Sequence, residues 1–202
     1  MNIFLSYKPS NVFINLTKFI KDDLLELSVT LPLEDSKYRF TRAVIFRITI
    51  TNQNQFEDFS YSVVSKPKST SLEIIDSVDS LLLKTATTQL LIAKSPIRFS
   101  FQTVNGEILN EDDPLGTSRF MRRVPPIKNS CERFIGLGEK TGPLDRKGNA
   151  YLNWNSDAYA YSKGTDPLYC SMPFYIGIHN GLCYGVFFDN THKAYFNLRI
   201  MQ

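Results

Sequence analysis

The sequence predicts an all-β fold in which antiparallel strands form a sandwich or a barrel. β-rich segments recur about every ten residues, with turn-forming residues between them. Residues 41–51 and 97–104 alternate apolar and polar side chains, which is the period of a half-buried strand. Asn105-Gly106 and His179-Asn180-Gly181 are short turn motifs that favour hairpins between antiparallel neighbours.

The first quarter of the chain is predicted to form three strands. Residues 12–16 are a short β-rich run. Residues 18–31 include the helix-compatible sequence LLEL, but Val29 and Thr30 near their end are β-branched and favour an extended backbone. Residues 41–51 place four apolar side chains on one face of a strand and two polar ones on the other. The apolar face consists of Val44, Phe46, Ile48 and Ile50, and the polar face carries Arg47 and Thr49.

The middle of the chain is predicted to alternate between short strands and turns. The strands are predicted at residues 59–65, 74–79, 81–85, 89–93, 97–104 and 107–110. The last two flank Asn105-Gly106, so we expect them to pair as a hairpin. Residues 111–116 are an acidic turn, and residues 124–130 are a Pro-containing connector inside the fold. A chain of 202 residues is interpreted as one domain spanning residues 1–202.

Three further strands are predicted after residue 173. Phe174, Ile176 and Ile178 alternate along the first of them. Residues 182–189 return from the turn as an aromatic strand, and residues 193–198 form another. His179, in the turn, and His192, in a short connection, are expected at the surface.

Composition argues against several classes of function. The net charge of +3 is small and dispersed, so no nucleic-acid partner is expected. No apolar segment is long enough to span a bilayer, and the first residues lack the basic start and apolar run of a secretory leader. The three cysteines have no CxxC spacing, which predicts reduced thiols in the cytoplasm.

Motifs for common catalytic and cofactor sites are missing from the sequence. Two histidines and three cysteines occur without metal-ligand spacing, so no metal site is expected. There is no P-loop, no dinucleotide-binding glycine motif and no GxSxG elbow, so no cofactor is expected either.

Residues 134–174 combine glycines, prolines, aromatic rings and three aspartates: Asp145, Asp157 and Asp166. Two interpretations are equally open. A long ordered loop of this composition is often functional. Alternatively, it is a well-packed excursion between two strands whose aspartates cap turns.

A sugar-binding chemistry is concentrated in eight residues of this region. Trp154, Asn155, Asp157, Tyr159 and Tyr161 provide aromatic faces, which suit the apolar side of a pyranose ring, and oxygens that accept hydrogen bonds from hydroxyls. The alternative is that the aromatic residues here are core and interface residues. That alternative is favoured for Tyr151, Tyr169, Phe174 and Phe188, whereas Asp157, in the middle of the loop, favours function.

Three segments carry a resemblance to a known family. FIGLGEKTGPLDRKG, NWNSDAYAYSKGTDPLYCSMPF and GVFFDNTHKAYFNL, within residues 134–198, resemble the amino-terminal domain of glycoside hydrolase family 31, the α-glucosidase family. The resemblance implies a β-sandwich of the galactose-mutarotase-like type that packs against a (β/α)8 barrel. In that family the barrel carries both catalytic carboxylates of a retaining mechanism.

The resemblance also implies roles for particular residues. The aspartate of the WNSDAY-like segment contacts substrate in several members, which maps to Asp157, and Tyr159 follows it. The nucleophile motif of the barrel has no counterpart, so this chain is expected to be a non-catalytic domain that lacks its barrel and contributes Asp157, Tyr159 and Trp154 to the binding of an α-glucoside or related oligosaccharide. A bare barrel-docking face would be an apolar patch through which the isolated chain could dimerise.

Two alternative functions stay open from the sequence. The chain could be a free-standing carbohydrate-binding module, which would bind sugar without a barrel. It could also be a mutarotase-like epimerase, which requires a histidine acid and a carboxylate base facing one pocket.

Overall fold

A computed structural model describes residues 2–7, 19–20, 25–26, 28–30, 44–49, 60–64, 73–94, 97–112, 132–189 and 191–198. In the first five of these ranges, side chains are described only for Phe46 and Ile48. Throughout the described residues the regular structure consists of β-strands, and the all-β prediction is confirmed.

The described strands are numbered in chain order. They are β1 (Asn2–Tyr7), β2 (Phe19–Ile20), β3 (Leu25–Glu26), β4 (Ser28–Thr30), β5 (Val44–Thr49), β6 (Glu73–Asp76), β7 (Ser80–Lys84), β8 (Thr88–Lys94), β9 (Ile97–Thr103), β10 (Ile108–Glu111), β11 (Arg133–Gly138), β12 (Ala150–Asn153), β13 (Ser171–His179), β14 (Leu182–Asp189) and β15 (Ala194–Asn197).

These strands form two main sheets and two short ribbons. The larger sheet has the order β11-β13-β14-β1-β5-β4, and the second has the order β10-β9-β8-β7-β6. The ribbons are β12-β15 and β2-β3. All of the strand pairs are antiparallel, so the architecture is an antiparallel β-sandwich, as predicted.

The core lies between the two main sheets and extends under the β12-β15 ribbon. One buried cluster contains residues of both sheets, including Ile48 and Val186 of the first and Leu83 and Leu90 of the second. An edge-to-face contact between Phe46 and Phe101, with ring centroids 5.9 Å apart, joins the sheets directly. The ribbon contributes buried Tyr151 and Phe196 to the same cluster, which fixes β12 to the sandwich.

Most of the strand predictions that fall in the described residues are confirmed. β5 has Phe46 and Ile48 buried, as its alternation predicted. The two hairpins form at the predicted turns, with Gly106, Asn180 and Gly181 at positive φ. Residues 18–31 are extended where they are described, but as three short strands, β2 to β4. The predicted strand at residues 12–16 lies outside the described residues.

The predicted strand at residues 59–65 is wrong for residues 60–64, which form a bend. The Ser60 hydroxyl oxygen accepts hydrogen bonds from the backbone N–H of Ser62 at 3.1 Å and of Val63 at 2.8 Å. Serine side chains that bond to the backbone two and three residues on stabilise turns. This local bonding competes with strand formation and explains the error.

The alternation predicted in β13 is present, but the predicted apolar residues do not form its buried face. Phe174 is 39% exposed, so of the expected core and interface roles it does not have the core one. The residues between the predicted apolar ones form the buried face: Tyr175, Gly177 and His179. His179 is only 3% exposed and is the last residue of β13, so the expectation of a surface histidine in the turn is also wrong. His192 is exposed, as predicted.

Tyr184 is the physical reason for this choice of face. It lies opposite Gly177 on the neighbouring strand, and its ring occupies the space that a side chain at Gly177 would need. His179 packs edge-to-face against Tyr184, with ring centroids 6.0 Å apart. Its Nε2 lies 3.0 Å from the carbonyl oxygen of Leu109 in β10, so β13 is also bonded to the opposite sheet.

Candidate functional site

The segment between β12 and β13, residues 154–170, projects from the sandwich and is called the arm. Its two ends are bonded to each other. Ser156 N–H donates to the Leu168 carbonyl at 2.9 Å, and Leu168 is almost fully buried. Ser171, the first residue of β13, donates its N–H to Asn155 Oδ1 at 2.7 Å and its hydroxyl to the Trp154 carbonyl at 2.8 Å. The arm is therefore an ordered structure.

The three sequence-predicted site residues all lie on the arm and all face solvent. Trp154 is 47% exposed, Tyr159 is 93% exposed, and Asp157 is exposed as well. Aromatic rings of this size are usually buried or lie at contact surfaces. The arm therefore exposes two aromatic rings and a carboxylate, and a core role is excluded for Trp154 and Tyr159.

Two more tyrosines support the arm from within. Tyr161 and Tyr169 form an edge-to-face pair with centroids 6.1 Å apart. The Tyr169 hydroxyl donates to the Ala158 carbonyl at 2.8 Å. Partial desolvation, with a smaller effect of the Asp157 carboxylate, raises the pKa of Tyr169, so this phenol stays neutral and keeps donating. Tyr169 is nevertheless 43% exposed, so of the expected core and interface roles it does not have the core one.

The core role expected for Tyr151 and Phe188 is confirmed. Tyr151 is buried in the main cluster. Phe188 packs against that cluster and lies edge-to-face on Phe196, with centroids 5.2 Å apart.

The three aspartates of this region differ in what they bind. Asp145 Oδ1 accepts the N–H of Phe134 at 3.1 Å and of Lys147 at 3.0 Å, so it caps a turn. Asp166 accepts the Leu152 N–H at 2.5 Å and pairs with Lys140 at 2.6 Å. These two have structural roles, and Asp157 is the aspartate of the three that the fold leaves exposed on the arm.

Lys140 was not singled out by the sequence, yet its charged side chain is almost fully buried. Its side chain is only 1% exposed and lies between the β11–β12 connection and the arm. A lysine that far from water requires a partner for its charge. No short sequence motif marks Lys140, because its partners Asp166 and Ser171 lie 26 and 31 residues away in the chain.

A cleft of about 220 Å³ lies beside the arm, lined by residues 140–143, 149–151 and 163–166. It is smaller than the sites of roughly 300–1,000 Å³ that typically enclose small ligands. None of the three predicted site residues lines it. The exposed arm surface and the cleft are thus separate features.

The described residues contain no group of three or more histidine, cysteine, aspartate or glutamate side chains able to hold a metal ion. In the same part of the chain, no helix has the length and apolar character needed to cross a membrane.

A histidine and a carboxylate do come together, but inside the sandwich. Glu132 is 3% exposed and accepts a hydrogen bond from the Tyr184 hydroxyl at 2.6 Å. His179 packs edge-to-face against the Tyr184 ring and is equally buried. An epimerase needs its acid and base to face a substrate. Because these side chains are sealed in the core, the structure does not favour the epimerase alternative.

Burial raises the pKa of Glu132, while the Tyr184 hydroxyl and the charges of His179 and Lys147 lower it by less. The Glu132 carboxyl group therefore binds its proton more tightly in the folded protein than in the unfolded chain, where its pKa is near 4.5. Ionisation of Glu132 thus costs stability as pH rises from 4.5 through the higher pKa of the folded state.

We expect Glu132→Gln to remove this pH dependence while keeping an oxygen for the Tyr184 hydroxyl. The difference in Tm, wild type minus variant, should be most favourable to the wild type near pH 4 and fall towards about pH 8. Thermal unfolding followed by circular dichroism across this range measures it. A difference that rises with pH would contradict the assignment.

Comparison with known proteins gives a consistent set of similarities. The family model described as the glycosyl hydrolase 31 N-terminal galactose mutarotase-like domain matches residues 35–197. "Alpha-glucosidase 2" of Bacillus thermoamyloliquefaciens is 33% identical over 171 residues, covering 81% of this chain. "Alpha-glucosidase" of Saccharolobus solfataricus is 46% identical over 71 residues, or 35% of this chain. The chain spans 21% of the length of the first relative and 10% of the second.

Solved structures share the fold at lower sequence identity. The GH31 dextranase of Flavobacterium johnsoniae, complexed with glucose, has a TM-score of 0.62 and 21% identity, and the match covers 93% of this chain and 24% of the dextranase. The cycloalternan-forming enzyme of Listeria monocytogenes, in complex with a pentasaccharide substrate, has a TM-score of 0.52 and 14% identity, covering 96% and 21% of the two chains.

Proposed function

Since this chain belongs to the family of N-terminal galactose mutarotase-like domains of glycosyl hydrolase 31, we propose that it is the non-catalytic sandwich domain of an α-glucosidase-type enzyme. Its arm contributes Asp157, Trp154 and Tyr159 to the site that binds an α-linked glucoside or a related oligosaccharide. The catalytic carboxylates come from a barrel domain of the same, longer protein, against which the sandwich packs.

The observation that carries this proposal is the exposure of Asp157 on an ordered arm that also exposes the rings of Trp154 and Tyr159. An ionised carboxylate accepts hydrogen bonds from two neighbouring hydroxyls, and aromatic faces pack against the apolar side of a sugar ring. The arm is rigidly based, so the entropy lost when it meets a ligand is small.

The three aspartates of this region do not form a glycosidase pair among themselves. A retaining mechanism requires a nucleophile and an acid about 5 Å apart across the scissile bond. Asp145 caps a turn and Asp166 is paired with Lys140, so neither is available to Asp157 as a partner. This supports the proposal that the arm helps to bind the substrate while the acid and the nucleophile come from another domain.

Two relatives indicate the class of ligand. The dextranase structure is described with isomaltotriose and the cycloalternan-forming enzyme with a pentasaccharide substrate. Both ligands are oligosaccharides, and the dextranase is also described with glucose, so an α-linked glucoside or a related oligosaccharide is the proposed ligand of the arm.

In the full-length protein encoded by the gene that contains this chain, Asp157→Ala is expected to lower kcat/KM for an α-linked disaccharide about 10-fold or more. Loss of a charge-assisted hydrogen bond has that effect on the rate. Asp79→Ala is the matched control, since Asp79 is exposed at a turn of the other sheet, and it should leave the rate unchanged. Hydrolysis of a nitrophenyl α-glucoside by the 202-residue chain alone, or an Asp157→Ala enzyme with full activity, would overturn the proposal.

The exposed rings also favour a second candidate, a carbohydrate-binding module that acts without a barrel. The two candidates are separated by titration calorimetry of the isolated chain with maltose and isomaltotriose. Binding by the isolated chain that disappears in Trp154→Ala supports the module. Binding that requires the full-length protein supports the first candidate, a non-catalytic domain of a longer enzyme.

A further inference from the structure

We propose that Lys140 is the positioning residue of the arm: its buried ammonium group ties both ends of residues 154–170 to the sandwich and thereby sets where Trp154 and Asp157 stand. Lys140 lies just after β11, and its side chain is 1% exposed. The role in sugar binding rests on the proposed function, whereas the anchoring itself does not.

All three donors of the Lys140 ammonium group are used. Nζ donates to Asp166 Oδ1 at 2.6 Å, to the Leu152 carbonyl at 2.8 Å and to Ser171 Oγ at 3.3 Å. An ammonium group has three N–H donors and no acceptor. The group is therefore saturated by the protein, which argues against a ligand-binding role and for a structural junction.

Two of the three acceptors flank the arm, and the third lies in its returning half. Leu152 is in β12, just before the arm begins. Asp166 is in the returning half, and Ser171 is where β13 starts. One ammonium group thus holds the departure and the return of the arm at a fixed separation.

The bonds continue from these acceptors into the arm. Asp166 Oδ2 accepts the Leu152 N–H at 2.5 Å, which joins the two ends a second time. The Ser171 hydroxyl in turn donates a hydrogen bond to the Trp154 carbonyl at 2.8 Å. An unbroken path of hydrogen bonds therefore connects Lys140 to the backbone of Trp154, three residues before Asp157.

Removal of Lys140 leaves the Asp166 carboxylate without its cation in a largely buried position, where an unpaired charge is unfavourable. The favourable response is for Asp166 to move towards water. Because Asp166 also holds Leu152, this movement loosens the base of the arm and frees Trp154.

Trp154 is the chain's single tryptophan, so its fluorescence reports on the arm alone. Lys140→Met is expected to shift the emission to longer wavelength and to raise acrylamide quenching up to about twofold, since the ring is 47% exposed when anchored. Lys163→Met is the matched control because it removes the same charge from an exposed position on the arm. It should leave the emission unchanged.

Circular dichroism at the same temperature shows whether the sandwich stays folded. If Lys140→Met does not fold, Ser171→Ala replaces it. That variant removes the hydroxyl that links Lys140 to the Trp154 carbonyl and keeps the bonds of Lys140 to Asp166 and Leu152, so the same shift in a smaller amount is expected. Unchanged quenching in the folded variant would overturn the proposal.

Activity of the full-length enzyme separates this inference from the proposed function. If Lys140 acts through the arm, Lys140→Met raises KM, and the double variant with Asp157→Ala is no worse than Asp157→Ala alone. A fluorescence shift with unchanged kinetics would show that Lys140 anchors the arm, but would overturn the proposal that the arm contributes to sugar binding. Additive losses would show that Lys140 acts elsewhere and overturn its positioning role.

Discussion

Gly136→Ala is expected to destabilise the domain by about 3 kcal/mol or more, and so to lower Tm by roughly 10 °C. Gly136 has a φ of +133°, a region that side-chain-bearing residues rarely adopt. A Cβ there would lie 2.5 Å from the Phe174 carbonyl oxygen and 2.9 Å from Tyr175 Cα. Both are backbone atoms of β13, so the strand pair itself would have to separate.

The matched control for this substitution is Gly142→Ala. Gly142 also has a positive φ, of +96°, but a Cβ would meet no atom within 4 Å. Its cost is therefore the backbone term alone, about 1 kcal/mol. Chemical denaturation of the two variants measures the difference. Equal losses would show that the close approach of β11 and β13 is not what requires glycine at position 136.

Tyr184→Ala is expected to destabilise the domain by about 4 kcal/mol. The ring fills the space above Gly177, packs edge-to-face on His179 and is 2% exposed. Its removal leaves a cavity between the sheets and takes away the hydrogen-bond donor of the buried Glu132. Domain stabilities are typically about 5–15 kcal/mol, so this is a large fraction of the total.

Tyr184→Phe separates the contribution of the ring from that of the hydroxyl. It keeps the packing and leaves Glu132 without this donor, at an expected cost of about 1–3 kcal/mol. Urea unfolding of both variants provides the comparison. If Tyr184→Phe costs as much as Tyr184→Ala, the hydrogen bond and not the packing is the main contribution, contrary to our expectation.

These two sites explain how the fold supports the arm. The close contact of β11 with β13 at Gly136 brings the residues that follow β11, including Lys140, next to the start of β13. Tyr184 fixes the buried face of β13 through Gly177. We therefore expect a loss of packing at either site to reach the base of the arm, even though neither residue faces the proposed ligand.

The sequence by itself determined the all-β class, both hairpins and the concentration of sugar-compatible side chains around Asp157. These properties are local, because period-two alternation and turn chemistry depend on residues close together in the chain. Exposure of Asp157 also followed from its place in a polar, turn-rich loop.

Only the tertiary structure decided which face of β13 is buried and which lysine holds the arm. Alternation shows that two faces differ but does not say which one packs on the core. There, Gly177 and His179 are buried because Tyr184 and Leu109 meet them from other strands. Likewise, the partners of Lys140 lie 12, 26 and 31 residues further along the chain, and contacts at such separations exist only once the strands between them have paired.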